Sequence, residues 1–176
     1  MPVAAPEVRS GHVDAWVGVG GPGLGPGGAD EWIQVGVTAG AGDRAQRVYV
    51  EIVRPGRADV FHELRREVGV GERHRFAIRE VAGRPGWWRA WVDDSPVLSA
   101  VFLGASHGRW RAHALAESWT GMSSGSCNRY AYAFSGVAVA SVGGGSWSAV
   151  GRETVLSDPP YRMQPRGTAG FVVSVR

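Results

Sequence analysis

A single polar side chain, Gln34, interrupts the apolar run that extends from Glu31 to Val37. Successive side chains of a β-strand point to opposite faces of the sheet, so Ile33 and Val35 would share one face and Gln34 would lie on the other. The aliphatic face is typical of a hydrophobic core. Gln34 is therefore either an ordinary surface amide or part of a reactive site, and the residues that share its face decide between the two.

The clearest alternation in the chain runs from Arg109 to Trp119. Its alanines fall on one face, where small side chains allow close packing against a second sheet. The opposite face is large, polar and aromatic, and it carries His113 and Glu117. Sorting the other strand-like segments in the same way gives a matching face with these members: Trp16, Trp32, Gln34, Tyr49, Glu51, Trp87, Arg89, Trp91, Tyr130, Tyr132 and Phe134.

Aromatic and polar groups that converge on one sheet face are typical of a concave groove for an extended polymer. This sorting places Gln34 and Glu117 on the same side of the sheet. The alternative is that these residues form the wetter face of an antiparallel sheet, with aromatic rings covering their neighbours.

Three other patterns in the sequence have the form of known sites. Residues 121–125 fit G-x-S-x-G, but the helix and parallel sheet that make this pattern a nucleophile elbow are missing, so we interpret it as a loop. Residues 23–28 fit G-x-G-x-x-G, yet Pro26 lies inside and a strand follows, which argues against dinucleotide binding. The five histidines lack paired ligand spacing, so no metal site is expected.

Length and composition favour a single-domain protein without disulfide bonds. A chain of 176 residues fits one domain, and its one cysteine, Cys127, allows no internal disulfide and is interpreted as a small packing residue. The net charge of +3 is small and the arginines are spread along the chain, so no nucleic-acid partner is expected. No apolar run approaches the roughly 18 residues of a membrane span, and no membrane partner is expected. We expect a monomer without a cofactor.

The elements that must position these residues are short strands. Residues 1–12, with Pro2 and Pro6, predict an extended arm, and residues 13–176 a single domain. A helix is plausible only at residues 61–67, where Phe61 and Leu64 fall at helical spacing. Strands are predicted at residues 14–20, 31–37, 47–54, 73–81, 87–93, 97–103, 109–119, 128–140 and 168–175. Short strands at even spacing, separated by glycine- and proline-rich turns, indicate an all-β sandwich or barrel.

Several of these segments resemble motifs of one enzyme family. Asp14-Ala-Trp-Val-Gly-Val-Gly-Gly21 and Trp32-Ile-Gln-Val-Gly-Val37 are similar to the AWVGIDG and LQTGV pair of the glutamic peptidases, or eqolisins. Tyr49-Val-Glu-Ile-Val-Arg-Pro55 resembles WYEWxP, and Ala112-His-Ala-Leu-Ala-Glu117 matches AExIIE at its ends. The resemblance covers about residues 13–140 in order and suggests a divergent, bacterial-type member.

The resemblance implies an antiparallel β-sandwich of two sheets, of concanavalin-like or jelly-roll type, with a concave groove. It implies an acid-active endopeptidase in which Gln34 and Glu117 form the catalytic dyad on a polypeptide substrate. Trp16, Trp32, Tyr49, Glu51 and His113 would then bind substrate or support the dyad. By analogy with the family the protein would be secreted, although residues 1–14 contain no apolar segment of signal-peptide type.

A second hypothesis shares the fold and differs in chemistry. The family's acidic residue in GIDG is Gly20 here, and the aromatic pair around its YEW glutamate is replaced by Val50 and Ile52. A catalytically inactive, lectin-like sandwich that binds a peptide or glycan on its aromatic concave face fits these departures.

Overall fold

The computed structural model describes residues 1–121, 128–141, 146–150 and 160–175. These ranges contain a one-turn 3-10 helix at Pro26–Gly28 and otherwise strands. The strands are β1 His12–Gly21, β2 Glu31–Gly40, β3 Gln46–Val53, β4 Val60–Val68, β5 Phe76–Glu80, β6 Trp87–Val92, β7 Ser95–Phe102, β8 Ala112–Trp119, β9 Tyr130–Ser135, β10 Ala138–Ala140, β11 Trp147–Ala149, β12 Arg162–Pro165 and β13 Gly170–Val175.

A five-stranded antiparallel sheet, in the order β4-β3-β2-β1-β8, forms one layer. The first four strands are consecutive in sequence, as short turns between alternating segments allow. β8 joins the free edge of β1 only after the chain has formed β5, β6 and β7, which make a separate three-stranded sheet. β1 and β2 thus lie between β3 and β8.

One face of the five-stranded sheet is the hydrophobic core. The aliphatic side chains of β2, including Ile33 and Val35, are buried there with Val13 of β1. Ala90 and Val92 of β6 belong to the same buried cluster, so the β5–β6–β7 sheet packs on this face. Two packed layers of antiparallel strands make a β-sandwich, which confirms the predicted all-β fold class.

The helix predicted at residues 61–67 is wrong, because this segment lies within β4. Val60, Leu64 and Val68 are the inward-facing residues of this strand, and the positions between them are exposed. They are spaced by four, which is close to one helical turn and is also an even number of strand residues. Leu64 and Val68 therefore fit both periods, whereas Phe61, which the helical spacing grouped with Leu64, lies opposite Glu51 on the other face; pairing with β3 selects the strand.

The predicted polar and aromatic face is only partly one surface. Trp87, Arg89 and Trp91 lie in β6, in the other sheet, so their assignment to the face of Gln34 was wrong. Tyr130 and Tyr132 of β9 are buried in the core cluster instead of lining a groove. Alternation identifies the two sides of a strand, but it does not say in which sheet the strand will pair.

The N-terminal residues run beside β9. The Val3 amide donates to the Ala131 carbonyl, and Glu7 exchanges backbone hydrogen bonds with Arg129. β13 already occupies the other edge of β9, so this segment covers the remaining edge. The G-x-S-x-G serines and Cys127 lie outside the described residues.

Gly36 in the middle of β2 allows a close approach of β1. A Cβ atom at this position would overlap the Ala15 carbonyl oxygen and would lie 2.6 Å from Trp16 Cα. We expect Gly36→Ala to lower the free energy of unfolding by about 1–3 kcal/mol, because the two strands must separate to admit a methyl group. Urea unfolding measures this loss.

Gly21→Ala is the matched control, since a Cβ there would make only an ordinary contact of 3.7 Å with Leu24. It should change the stability by less than about 0.5 kcal/mol. Equal stabilities for the Gly36→Ala variant and the parent protein would contradict the close approach of the two strands.

Candidate active site

The face of the five-stranded sheet opposite the core carries the candidate site. Register fixes its layout: Asp14 of β1 lies directly between Glu117 of β8 and Thr38 of β2, and Gln34 of β2 lies opposite Glu51 of β3. Directly paired residues of neighbouring strands point to the same side of a sheet, and Gln34 and Thr38 are an even number of residues apart on β2. All these side chains therefore share one face. Four neighbouring strands thus bring polar groups together.

Gln34 is almost completely buried and is held by two hydrogen bonds. Its Nε2 donates to Tyr49 Oη at 2.9 Å and to Glu51 Oε2 at 2.7 Å. The Trp32 indole donates to the same Glu51 oxygen at 3.3 Å. The amide therefore has a fixed orientation, and the Glu51 carboxylate accepts one of its hydrogens.

Glu117 is positioned by Trp16. The Trp16 indole Nε1 donates to Glu117 Oε1 at 2.8 Å, between the neighbouring strands β1 and β8. The Trp16 ring extends over Gly18, where an added Cβ would stand 3.0 Å from Trp16 Cζ3. The absence of a side chain at Gly18 leaves room for the indole that fixes this carboxylate.

A cavity of about 330 Å³ opens on this face. Three of its lining residues carry carboxyl groups, namely Asp14, Glu51 and Glu117. Two others, Phe61 and Trp119, are 50% and 57% exposed and form an aromatic rim. The remaining lining residues are Trp32 and His12, whose ring stacks on Trp119 with centroids 5.4 Å apart.

Asp14 has the most perturbed carboxyl group of the cavity. Burial raises the pKa of Asp14 from 3.8 to about 7, with further increases from the Glu117 and Glu51 charges and opposing hydrogen bonds from Thr38 and Tyr49. Only 3% of the residue is exposed, and its Oδ1 has no hydrogen-bond partner among the described residues. Asp14 therefore holds a proton over most of the acidic range.

Burial also shifts the pKa values of the titratable groups around Asp14. Burial raises the pKa of Glu51, although the hydrogen bond from Trp32 lowers it in part. Burial also raises the pKa of Tyr49 well above its ordinary value, so this phenol stays protonated. Burial lowers the pKa of the His12 imidazole, and the negative charge of Glu117 raises it in part. Burial thus favours the neutral forms of Asp14, Glu51 and Tyr49.

The structure places six of the seven residues that the sequence suggested at or beside the cavity, in two groups: Gln34, Trp32, Tyr49 and Glu51 share hydrogen bonds on β2 and β3, and Trp16 and Glu117 share one between β1 and β8. Gln34 lies opposite Gly18 and Glu117 lies opposite Asp14, so the two residues of the predicted dyad are offset along the sheet. Gln34, Trp16 and Tyr49 support the cavity through hydrogen bonds without lining it. His113 is exposed, lies opposite Gly18 and does not line the cavity.

The site prediction left out four lining residues, His12, Asp14, Phe61 and Trp119, although alternation already places Trp119 on the face of Glu117. A signal for two others was present, because His12 and Asp14 alternate with Val13 and so share the face of Trp16. An aspartate in an otherwise apolar strand is itself unusual. Phe61 was hidden by the incorrect helix.

Comparison with known proteins gives one informative match. No family model matches the sequence, and no curated protein matches it. The crystal structure of aspergilloglutamic peptidase from Aspergillus niger is similar with a TM-score of 0.62, over 95% of this chain and 100% of that chain, at 14% sequence identity. At this identity the likeness shows a shared fold.

Two further findings concern the described residues alone. No helix among them is long and apolar enough to cross a membrane. They also contain no group of three or more histidine, cysteine, aspartate or glutamate side chains arranged to hold a metal ion.

Proposed function

We propose that this protein is a glutamic-type endopeptidase of the eqolisin kind, which hydrolyses peptide bonds in unfolded polypeptides. The observation that carries the proposal is the Glu117 carboxylate, held by the Trp16 indole at the wall of an acid-lined cavity. The buried, oriented amide of Gln34 on the same sheet face supports it. The fold likeness to a glutamic peptidase supports the same class of reaction.

Glu117 serves first as a general base and then as a general acid. Its carboxylate takes a proton from a water molecule as the water oxygen attacks the peptide carbonyl carbon. The resulting glutamic acid gives this proton to the departing amine nitrogen as the C–N bond breaks. Trp16 keeps the carboxylate in one orientation through both steps, and the reaction requires no covalent intermediate.

Gln34 is the donor to the oxyanion that forms on the substrate. It stands behind Glu51 and does not line the cavity, so its amide reaches substrate only when Glu51 releases it. An amide hydrogen aimed at developing negative charge is an effective donor in acyl transfer. In the structure Glu51 accepts one of these hydrogens. Protonation of Glu51, whose pKa is raised by burial, removes the charge that holds this hydrogen and makes it available to substrate. Activity should therefore increase at acidic pH.

The exposed rings of Phe61 and Trp119 suit an extended polypeptide substrate, since aromatic side chains provide large and rigid contact surfaces. The same rim favours a second candidate function. A module that binds a peptide or glycan without cleaving it would use these rings, and it would leave both hydrogens of Gln34 Nε2 in their internal hydrogen bonds.

Digestion of an unfolded protein separates the two functions. The parent protein is incubated with the acid-denatured substrate between pH 2 and 7, and the products are identified by mass spectrometry. We expect internal cleavage that is fastest below neutral pH. Tight peptide binding without cleavage at any pH would establish the second candidate instead.

The control is Glu31→Gln, which removes a buried carboxylate from the core side of the same strand as Gln34. Glu31 accepts a hydrogen bond from the Gly104 amide and does not line the cavity. Cleavage should persist in this variant, because its acid takes no part in the reaction.

A further inference from the structure

Asp14 is a buried acid that the proposed reaction does not yet use. It lines the cavity, 3% of it is exposed, and its Oδ1 has no hydrogen-bond partner among the described residues. Burying a polar oxygen without a partner costs free energy. An acid retained at the cavity under this cost is a candidate for a functional role.

The register places Asp14 beside Glu117. The two residues are direct Cα partners in the antiparallel pair β1 and β8. Directly opposed residues on one sheet face have Cβ atoms about 4.5–5.5 Å apart, so the two carboxyl groups are neighbours. Two carboxylates this close resist simultaneous ionisation and favour a state in which one of them keeps a proton.

We propose that Asp14 is a second catalytic acid of this site, which shares one proton with Glu117 and gives it to the oxygen of the scissile carbonyl. This inference deepens the proposed peptidase function and rests on it. It assigns the site an aspartate–glutamate acid–base pair. The Gln34 amide then stabilises the partial negative charge that develops on the carbonyl oxygen before the proton from Asp14 arrives, and no full oxyanion forms.

The proton and bond changes balance over two steps. In the first step the water oxygen bonds to the carbonyl carbon, Glu117 takes one water proton, and Asp14 gives its proton to the carbonyl oxygen, which leaves a neutral gem-diol. In the second step Glu117 gives its proton to the amine nitrogen, the C–N bond breaks, and Asp14 recovers a proton from a diol hydroxyl. The products are a carboxylic acid and an amine, and both side chains return to their starting forms.

The surroundings of Asp14 favour its protonated form. Burial and the charges of Glu117 on β8 and Glu51 on β3 raise its pKa, whereas hydrogen bonds from Thr38 on β2 and Tyr49 on β3 lower it in part. Tyr132 of β9 also interacts with it electrostatically. On its own strand, the His12 imidazole lies 3.4 Å from Asp14 Oδ2. His12 is the nearest candidate cation, and burial lowers its pKa, which favours the neutral imidazole. Arg47, opposite Thr38, pairs with Asp43 and Glu63 instead.

Asp14→Asn tests the catalytic role. Asparagine keeps the shape and the neutral charge of the protonated acid but has no proton to transfer. We expect kcat to fall by about 100-fold or more, with KM changed by less than about threefold, since general acid catalysis contributes at least this factor. Asp94→Asn is the control, because Asp94 is an exposed residue beyond β6 that pairs with Arg75 and Arg79. Its kcat should equal that of the parent.

A titration by carbon-13 NMR tests the shared proton without reference to activity. The midpoint of the Asp14 carboxyl signal should fall by about one pH unit in Glu117→Gln, because the neighbouring charge has been removed. An unchanged midpoint, or an Asp14→Asn enzyme with the kcat and pH profile of the parent, overturns the assignment of Asp14. An inactive parent protein overturns the peptidase function itself, and the two failures are therefore distinguishable.

Discussion

Replacing Glu117 with glutamine will lower kcat/KM for an unfolded protein substrate by about 10³-fold, in the middle of the range for loss of a general acid–base group. Glutamine has nearly the same shape and can still accept the hydrogen bond from Trp16 Nε1, so the architecture of the site should persist. The side chain can no longer take a proton from water or return one to the amine. The fall should appear mainly in kcat, because the lost interaction belongs to the transition state.

Initial rates with a quenched fluorescent peptide, measured at the pH optimum of the parent, give both kinetic constants. Gln34→Ala should also lower kcat, and the double variant should lose less than the product of the two single effects, as residues that act together do. Thermal unfolding of each variant excludes a folding defect as the cause. A Glu117→Gln enzyme within tenfold of the parent would remove Glu117 from the mechanism.

Asp14→Asn will stabilise the protein at alkaline pH. The rise in the pKa of Asp14 from 3.8 to about 7 means that the folded state binds this proton more tightly than the unfolded chain does. The associated stability is fully present below pH 3.8 and is lost as the pH rises through 7. Above pH 8 the buried charge costs on the order of 4 kcal/mol, which asparagine avoids because it does not ionise.

The measurement is the difference in unfolding free energy between variant and parent at pH 4 and pH 8. Taking this difference cancels the other groups that titrate in both proteins. We expect the variant to gain on the order of 4 kcal/mol relative to the parent between the two pH values, or about 10 °C in Tm for a domain of this size. A difference that does not change with pH would contradict a buried, titrating Asp14.

Strand alternation carried most of the correct prediction. Gln34, Glu51 and Glu117 were placed on one face because β1, β2, β3 and β8 lie in one sheet and each strand is two-sided. The same argument failed for Trp91 and Tyr132, since alternation contains no information about which strands pair. Pairing depends on contacts between residues far apart in the sequence.

Burial was the other property that the sequence did not reveal. Asp14 could be assigned to the correct face, yet its isolation from water depends on neighbours such as Tyr49 and Thr38, which other strands supply. Interactions between charges become stronger where water is excluded, because the local dielectric constant is lower there. The perturbed acid therefore became recognisable only when the strands were assembled.

The division of β1 and β2 into two faces affects how the protein can evolve. Folding depends on Val13, Ile33 and Val35 on the inward face, whereas the proposed chemistry depends on residues that alternate with them. Apart from glycines such as Gly36, where the strands approach closely, these outward residues lie outside the core cluster, so their side chains can change while the sandwich remains intact. During evolution the catalytic residue can thus be lost or replaced while the fold is kept, so related proteins with this sheet can differ in function.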